Sequence, residues 1–183
     1  MSDLTLELSL ELPVEVEIVE LLASPLHRYE GRPTDGAVFT PDDDLRPELE
    51  FRAGLGIVGD RYFNQRAHRA SSVSLQSVEA LEAVAAELGV PIPGLRQTRR
   101  NILLRGVDVD ALARREFSLD SGDGAVRFGD ARPCNPCAWM NTSIGDGAHR
   151  GLRRRGGLRT GPLDDGTLRL GPALLRITSP TAG

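Results

Sequence analysis

Lysine is absent from all 183 residues, so the basic total of 22 is entirely arginine. No side-chain amine is available for a Schiff base, which excludes pyridoxal-phosphate chemistry on this chain. Nucleotide hydrolysis through a phosphate loop also loses the lysine that reaches the β- and γ-phosphates. Cysteine occurs twice, at Cys134 and Cys137, too few for the disulfide framework of a small secreted fold. His27, His68 and His149 are the only histidines and lie far apart, so a four-ligand zinc site is not expected. Aromatic residues make up 4%, and 26 acids against 22 arginines leave a net charge of −4, a composition that argues against nucleic acid as a partner. No apolar run long enough to span a bilayer occurs, and the acidic, alternating start MSDLTLEL has neither region of a secretory signal. The expectation is a cytoplasmic protein with no membrane partner.

What is present is the material of one domain over 1–183: 40% hydrophobic and 26% charged residues, with no repeats or heptads. Apolar residues fill every even position from Leu4 to Ile18, the period of a strand, with a break expected at Pro13. Residues 24–52 carry the prolines, glycines and acidic run of a long loop. Further strands are predicted over 72–75, 101–105 and 124–130, with a helical turn over 108–113. Asp165-Gly166 is a hairpin signal expected to lead into a strand pair at 167–170 and 173–178. Val78, Leu81, Val84, Ala85 and Leu88 recur at helical spacing, with Ser77 as cap and Gly89 as stop. Many short strands with one clear helix predict a mainly β or α+β domain, barrel-like, with peripheral helices.

Chemistry concentrates in two places. Arg132-Pro133-Cys134-Asn135-Pro136-Cys137 is a CxxC bracketed by prolines at a strand end, where a cation or a helix start would favour the reactive thiolate. Such cysteines also serve as small buried apolar residues, and a thiol oxidoreductase is a further alternative. Arginine is dense at Arg99-Arg100 and again at Arg150, Arg153, Arg154, Arg155 and Arg159 among glycines. Guanidinium forks and open backbone amides suit phosphate oxygens. A solvated charged face, or a non-enzymatic module that docks an anionic partner, is the competing reading.

GIVGDRYF (56–63), VSLQSVEAL (73–81), RRNILLRGVDVDAL (99–112), VRFGDARPCNPC (126–137) and GGLRTGPLDDGTLRLG (156–171) occur in an order that resembles the MOSC domains, named for the C-terminal domain of molybdenum cofactor sulfurase. The resemblance covers 54–177 and implies a β-barrel-like domain that binds the molybdenum cofactor, molybdopterin. Within it, NPCAWMN (135–141) makes Cys137 the first choice for the functional sulfur, as metal ligand or sulfur carrier, and Cys134 the second. By the same resemblance Arg61, Arg100 and Asn101 lie near the pterin phosphate. Arg132, beside the cysteines, and Arg153 and Arg154, from the arginine-rich stretch 147–159 that the family pattern does not place, are further candidate cofactor contacts. The implied activities are sulfur transfer or molybdenum-dependent reduction of N-hydroxylated compounds. The corresponding partners are a sulfur donor or an electron-transfer protein.

Overall fold

The computed structural model describes residues 12–39 and 44–178. Pro13 has no N–H to give a ladder, and the first strand, β1 (Val14–Leu21), begins directly after it. The predicted alternation over 4–11 lies outside the described residues. The remaining strands are β2 (Glu48–Arg52), β3 (Gly56–Ile57), β4 (Val73–Ser77), β5 (Ile102–Arg105), β6 (Glu116–Asp120), β7 (Ala125–Pro133), β8 (Leu158–Pro162), β9 (Gly166–Arg169) and β10 (Gly171–Thr178). Seven of them close a barrel in the order β1-β10-β6-β7-β8-β4-β5, and β3-β2-β9 form a small separate sheet. All barrel pairings are antiparallel except β4 with β5.

A parallel pair needs a crossover, and here it is supplied by α1 (Val78–Leu88) and the short α2 (Leu95–Thr98). Helix α1 turns Leu81, Val84 and Ala85 inward and ends at Gly89, whose φ of 66° is the left-handed cap that lets its N–H reach the Ala85 carbonyl. Ser77 stands at the expected N-cap position, yet its side chain makes no capping hydrogen bond. Two further short helices, α3 (Trp139–Ser143) and α4 (Ala148–Gly151), follow the cysteines.

Inward positions of the strands fill the barrel. Phe128 stands edge-on to Phe51 at 5.5 Å and stacked on Phe117 at 5.4 Å, all three fully buried. A second cluster lies outside the barrel wall, where Leu103 meets Val78, Leu81 and Val84 of α1 and Trp139 and Met140 of α3. α1 and α3 are therefore fixed to the same flank.

Two expectations need correction. The segment 24–52 is not loop to its end, because Glu48 to Arg52 alternate exposed and buried as β2, pairing with β9 and β3. The strands at 167–170 and 173–178 do not pair with each other: β9 joins β2, and β10 inserts between β1 and β6. Asp165 accepts from the Ala53 N–H at 2.8 Å and from Arg52 at 3.1 Å, tying its turn to the small sheet. Strands β6 and β8 were not anticipated from the sequence.

Candidate functional site

Four chain segments meet at one end of the barrel around a cleft of about 160 Å³. The stretch after β1 brings His27, Arg28 and Tyr29, and the turn after β3 brings Arg61 and Tyr62. The end of α2 and its link to β5 bring Thr98, Arg99 and Arg100, and the stretch between β7 and α3 brings Cys137. Tyr29 fastens the first of these, since its hydroxyl donates to the Gln97 carbonyl at 2.5 Å and its ring stacks on Trp139 at 5.1 Å. Ser143 donates to the same carbonyl at 3.0 Å, so α3 and the α2 turn are locked together beside Cys137.

Arg99 is the buried centre of the cleft. Its backbone caps α2 in the left-handed region, φ 56°, and its side chain is only 5% exposed. Nη1 donates to Asp44 at 3.1 Å, while Nε and Nη2 are buried without a hydrogen-bond partner. Two orphaned donors on one guanidinium are costly unless something accepts from them. Burial pulls the Arg99 guanidinium below its ordinary range, the Asp44 hydrogen bond opposes that pull, and repulsion from Arg61 and Arg28 adds to it.

Beside Arg99, Arg100 is held by backbone carbonyls and Arg61 by Asp60 and the Tyr62 ring. Arg100 donates through Nε to the Gly156 carbonyl at 3.0 Å and through Nη1 to Thr98 at 3.4 Å. Arg61 lies 3.5 Å from Asp60 and 4.8 Å above the Tyr62 ring, which is flanked by His27 and His68 at 5.5 and 4.7 Å. Among the described residues, four guanidiniums, Arg28, Arg61, Arg99 and Arg100, line the cleft, with Asp44 hydrogen-bonded to Arg99 and Asp60 beside Arg61. Such a cleft can take an anion.

Of the residues singled out from the sequence, Arg61, Arg100 and Cys137 line this cleft. Asn101 does not line it but builds it. Its carbonyl oxygen accepts from the N–H and hydroxyl of Ser74, and its amide donates to Leu22 and to Asp60, all within 3.2 Å. Asp60 in turn accepts from the Tyr62 N–H at 3.0 Å and the Ser24 N–H at 3.3 Å, so one buried amide–carboxylate pair orients the Arg61 turn. Cys137 is exposed and Cys134 half-buried, both as free thiols, and the chain between them forms no turn. Cys134 donates its N–H to the Gly157 carbonyl at 2.7 Å. Arg132 is exposed on β7, opposite Arg159 of β8. Arg153 and Arg154 line two other grooves, away from Cys137. Arg99 was singled out from the sequence only as a neighbour of Arg100 in an arginine-dense, phosphate-suited stretch, and His27, Arg28 and Tyr29 were not expected at the site.

No family model matches the sequence, and no curated protein matches it. Solved structures do resemble it. The YUAD protein from Bacillus subtilis superposes with a TM-score of 0.65 at 14% identity, over 92% of this chain and 99% of that one. YiiM from Geobacillus stearothermophilus gives 0.58 at 12% identity, over 92% and 77%. YiiM from Escherichia coli gives 0.52 at 15%, over 94% and 72%. At such identities the likeness is one of fold, and the closed, mainly β barrel with short peripheral helices is MOSC-like.

Proposed function

We propose that this chain binds the molybdenum cofactor, with its phosphate in the arginine cleft and Cys137 as thiolate ligand or sulfur carrier. The observation that carries this reading is the pair of unsatisfied, buried Arg99 donors among three further guanidiniums, on a cleft that an exposed cysteine also lines. The residues suit the group. A volume of about 160 Å³ is below the usual ~300–1,000 Å³ of whole-ligand pockets, so the cleft fits a phosphate-sized end and leaves the rest of a ligand outside it. A soft thiolate is an apt ligand for a redox metal.

When bound, the cofactor supplies a metal centre for redox chemistry or a position to which sulfur is delivered. Arg99 Nε and Nη2 donate to phosphate oxygens, and Arg61 and Arg100 add charge that compensates the anion. Cys137, being exposed, remains within reach of a sulfur donor or an electron-transfer protein. With no lysine for a pyridoxal-phosphate step, sulfur must come from such a partner.

Expression in a host that makes the cofactor tests the reading directly. Molybdenum and pterin are expected to co-purify with the protein, and Cys137→Ser is expected to lower bound molybdenum more than roughly tenfold, the scale on which even outer partners of a metal ligand act. Cys134→Ser is expected to retain most of it, and thermal melts should show both variants folded. Protein repeatedly free of molybdenum and pterin from that host would overturn the proposal. Reduction of N-hydroxylated substrates with an electron donor would then separate a reductase from a sulfur carrier.

A further inference from the structure

A second opening lies at the start of α1, separate from the Cys137 cleft. It is a groove of about 590 Å³ between Ser77, Ala80 and Ala83 on one wall, Asp108 and Asp110 on another, and Arg154 on a third. Ser77 is 2% exposed, lines the groove and precedes the eleven residues of α1, and its hydroxyl makes no capping hydrogen bond to the helix. Across the groove, Asp110 is half-buried and accepts from the Gly157 N–H at 3.2 Å, and among the described residues no cation pairs with it. Desolvation holds its carboxyl above the ordinary range, against the Gly157 hydrogen bond. Arg154 is exposed, with its backbone at a φ of 62° and no ion pair among the described residues. Asp108 uses Oδ1 to accept the Asp110 N–H at 3.1 Å at the start of the turn Val109–Leu112, which leaves its other oxygen; Arg155 is engaged with Glu87 at 2.7 Å, and Glu79 with the Gly106 N–H at 2.8 Å.

We propose that this groove binds a small zwitterion of the α-amino-acid class. Its ammonium sits on Asp110 and Asp108, its carboxylate on Arg154 and the Ser77 hydroxyl, and its side chain on the alanine floor. A simple anion would be repelled by the two aspartates, and a simple cation would leave Ser77, Arg154 and the helix start unused.

Isothermal titration of the full chain, purified from a host that lacks the molybdenum cofactor, tests this independently of the Cys137 reading. The probes are L-alanine, ethylamine and propionate. Saturable binding of L-alanine at millimolar concentration is expected, with each half-probe at least roughly tenfold weaker. Arg154→Gly removes the guanidinium while relaxing the left-handed backbone, and Asp110→Asn keeps an acceptor for Gly157; each is expected to weaken L-alanine binding by a similar factor. Both variants should stay folded. Because the folded-state carboxyl is raised, its charged form destabilises the fold at neutral pH. Asp110→Asn should therefore raise the melting temperature at pH 7, and that gain should vanish as pH falls below the ordinary carboxylate range, where Asp110 is protonated in both states. The charges facing Asp110 during that titration are Asp108, Arg100, Glu79, Arg154 and Arg155. No saturable L-alanine heat, equal binding of ethylamine or propionate, or unchanged binding in both variants would each overturn the proposal.

Discussion

Gly157→Ala is expected to unfold the domain. A Cβ at this position would lie 1.9 Å from the Leu75 carbonyl oxygen and 3.0 Å from its carbon, both rigid backbone atoms of β4, at a φ of +76°. The strand contact cannot give without parting β8 from β4. Gly157 also donates to Asp110, and its carbonyl accepts from Cys134. The loss should exceed about 4 kcal/mol, the upper range for single substitutions, against a typical total of ~5–15 kcal/mol. Gly59→Ala separates the two contributions. Its φ of +81° is equally left-handed, but nothing lies within 4 Å of the added carbon, so its cost should be only the ~1–2 kcal/mol of backbone strain. Chemical denaturation of both variants checks this, and equal midpoints would show that close approach to Leu75 is not what requires the glycine.

Asp44→Asn is the second large effect. Asp44 is 2% exposed and is the carboxylate hydrogen-bonded to Arg99. Removing one partner of a buried pair leaves a charge uncompensated and costs about 3–5 kcal/mol. Here the stranded guanidinium also faces repulsion from Arg61 and Arg28. Inorganic phosphate should restore part of the loss, because an anion that binds only the folded state stabilises it in proportion to its occupancy. Melting curves with and without phosphate should therefore show a larger upward shift in Asp44→Asn than in the parent. A shift no larger than the parent's would mean that the cleft does not take the anion.

The fold was legible where one physical signal dominated. Pro13 sets the start of β1, the 3.6-residue spacing and Gly89 bound α1, and the strand at 124–130 runs into the cysteines as β7. It was not legible where partners decide. Glu48-Leu49-Glu50-Phe51-Arg52 alternates correctly, but five residues beside four prolines read as loop until β9 supplies a neighbour. Likewise Asp165-Gly166 carries a hairpin signal, yet the strands around it find partners in two different sheets. The cleft was legible in part. Arg61, Arg100 and Cys137 belong to motifs that can be compared along a chain. Arg28 and Tyr29 enter from a proline-rich stretch whose path is fixed by the Tyr29–Gln97 hydrogen bond and the Trp139 stack, contacts spanning 68 and 110 positions. Asn101 shows the opposite lesson, since its position was found but its work is to hold Asp60 and Ser74.

The placement of β10 between β1 and β6 bears on how the protein is made. Until residues 171–178 have left the ribosome, the other six barrel strands can form only a curled sheet with two raw edges, one along β1 and one along β6. Rows of unpaired N–H and C=O groups on such edges invite pairing with another chain. Closure then joins segments separated by most of the polypeptide, the kind of contact that forms slowly. Nascent chains of this protein are therefore exposed to misassembly until β10, the last barrel strand in chain order, has emerged, and that strand of eight residues ends the exposure in one step.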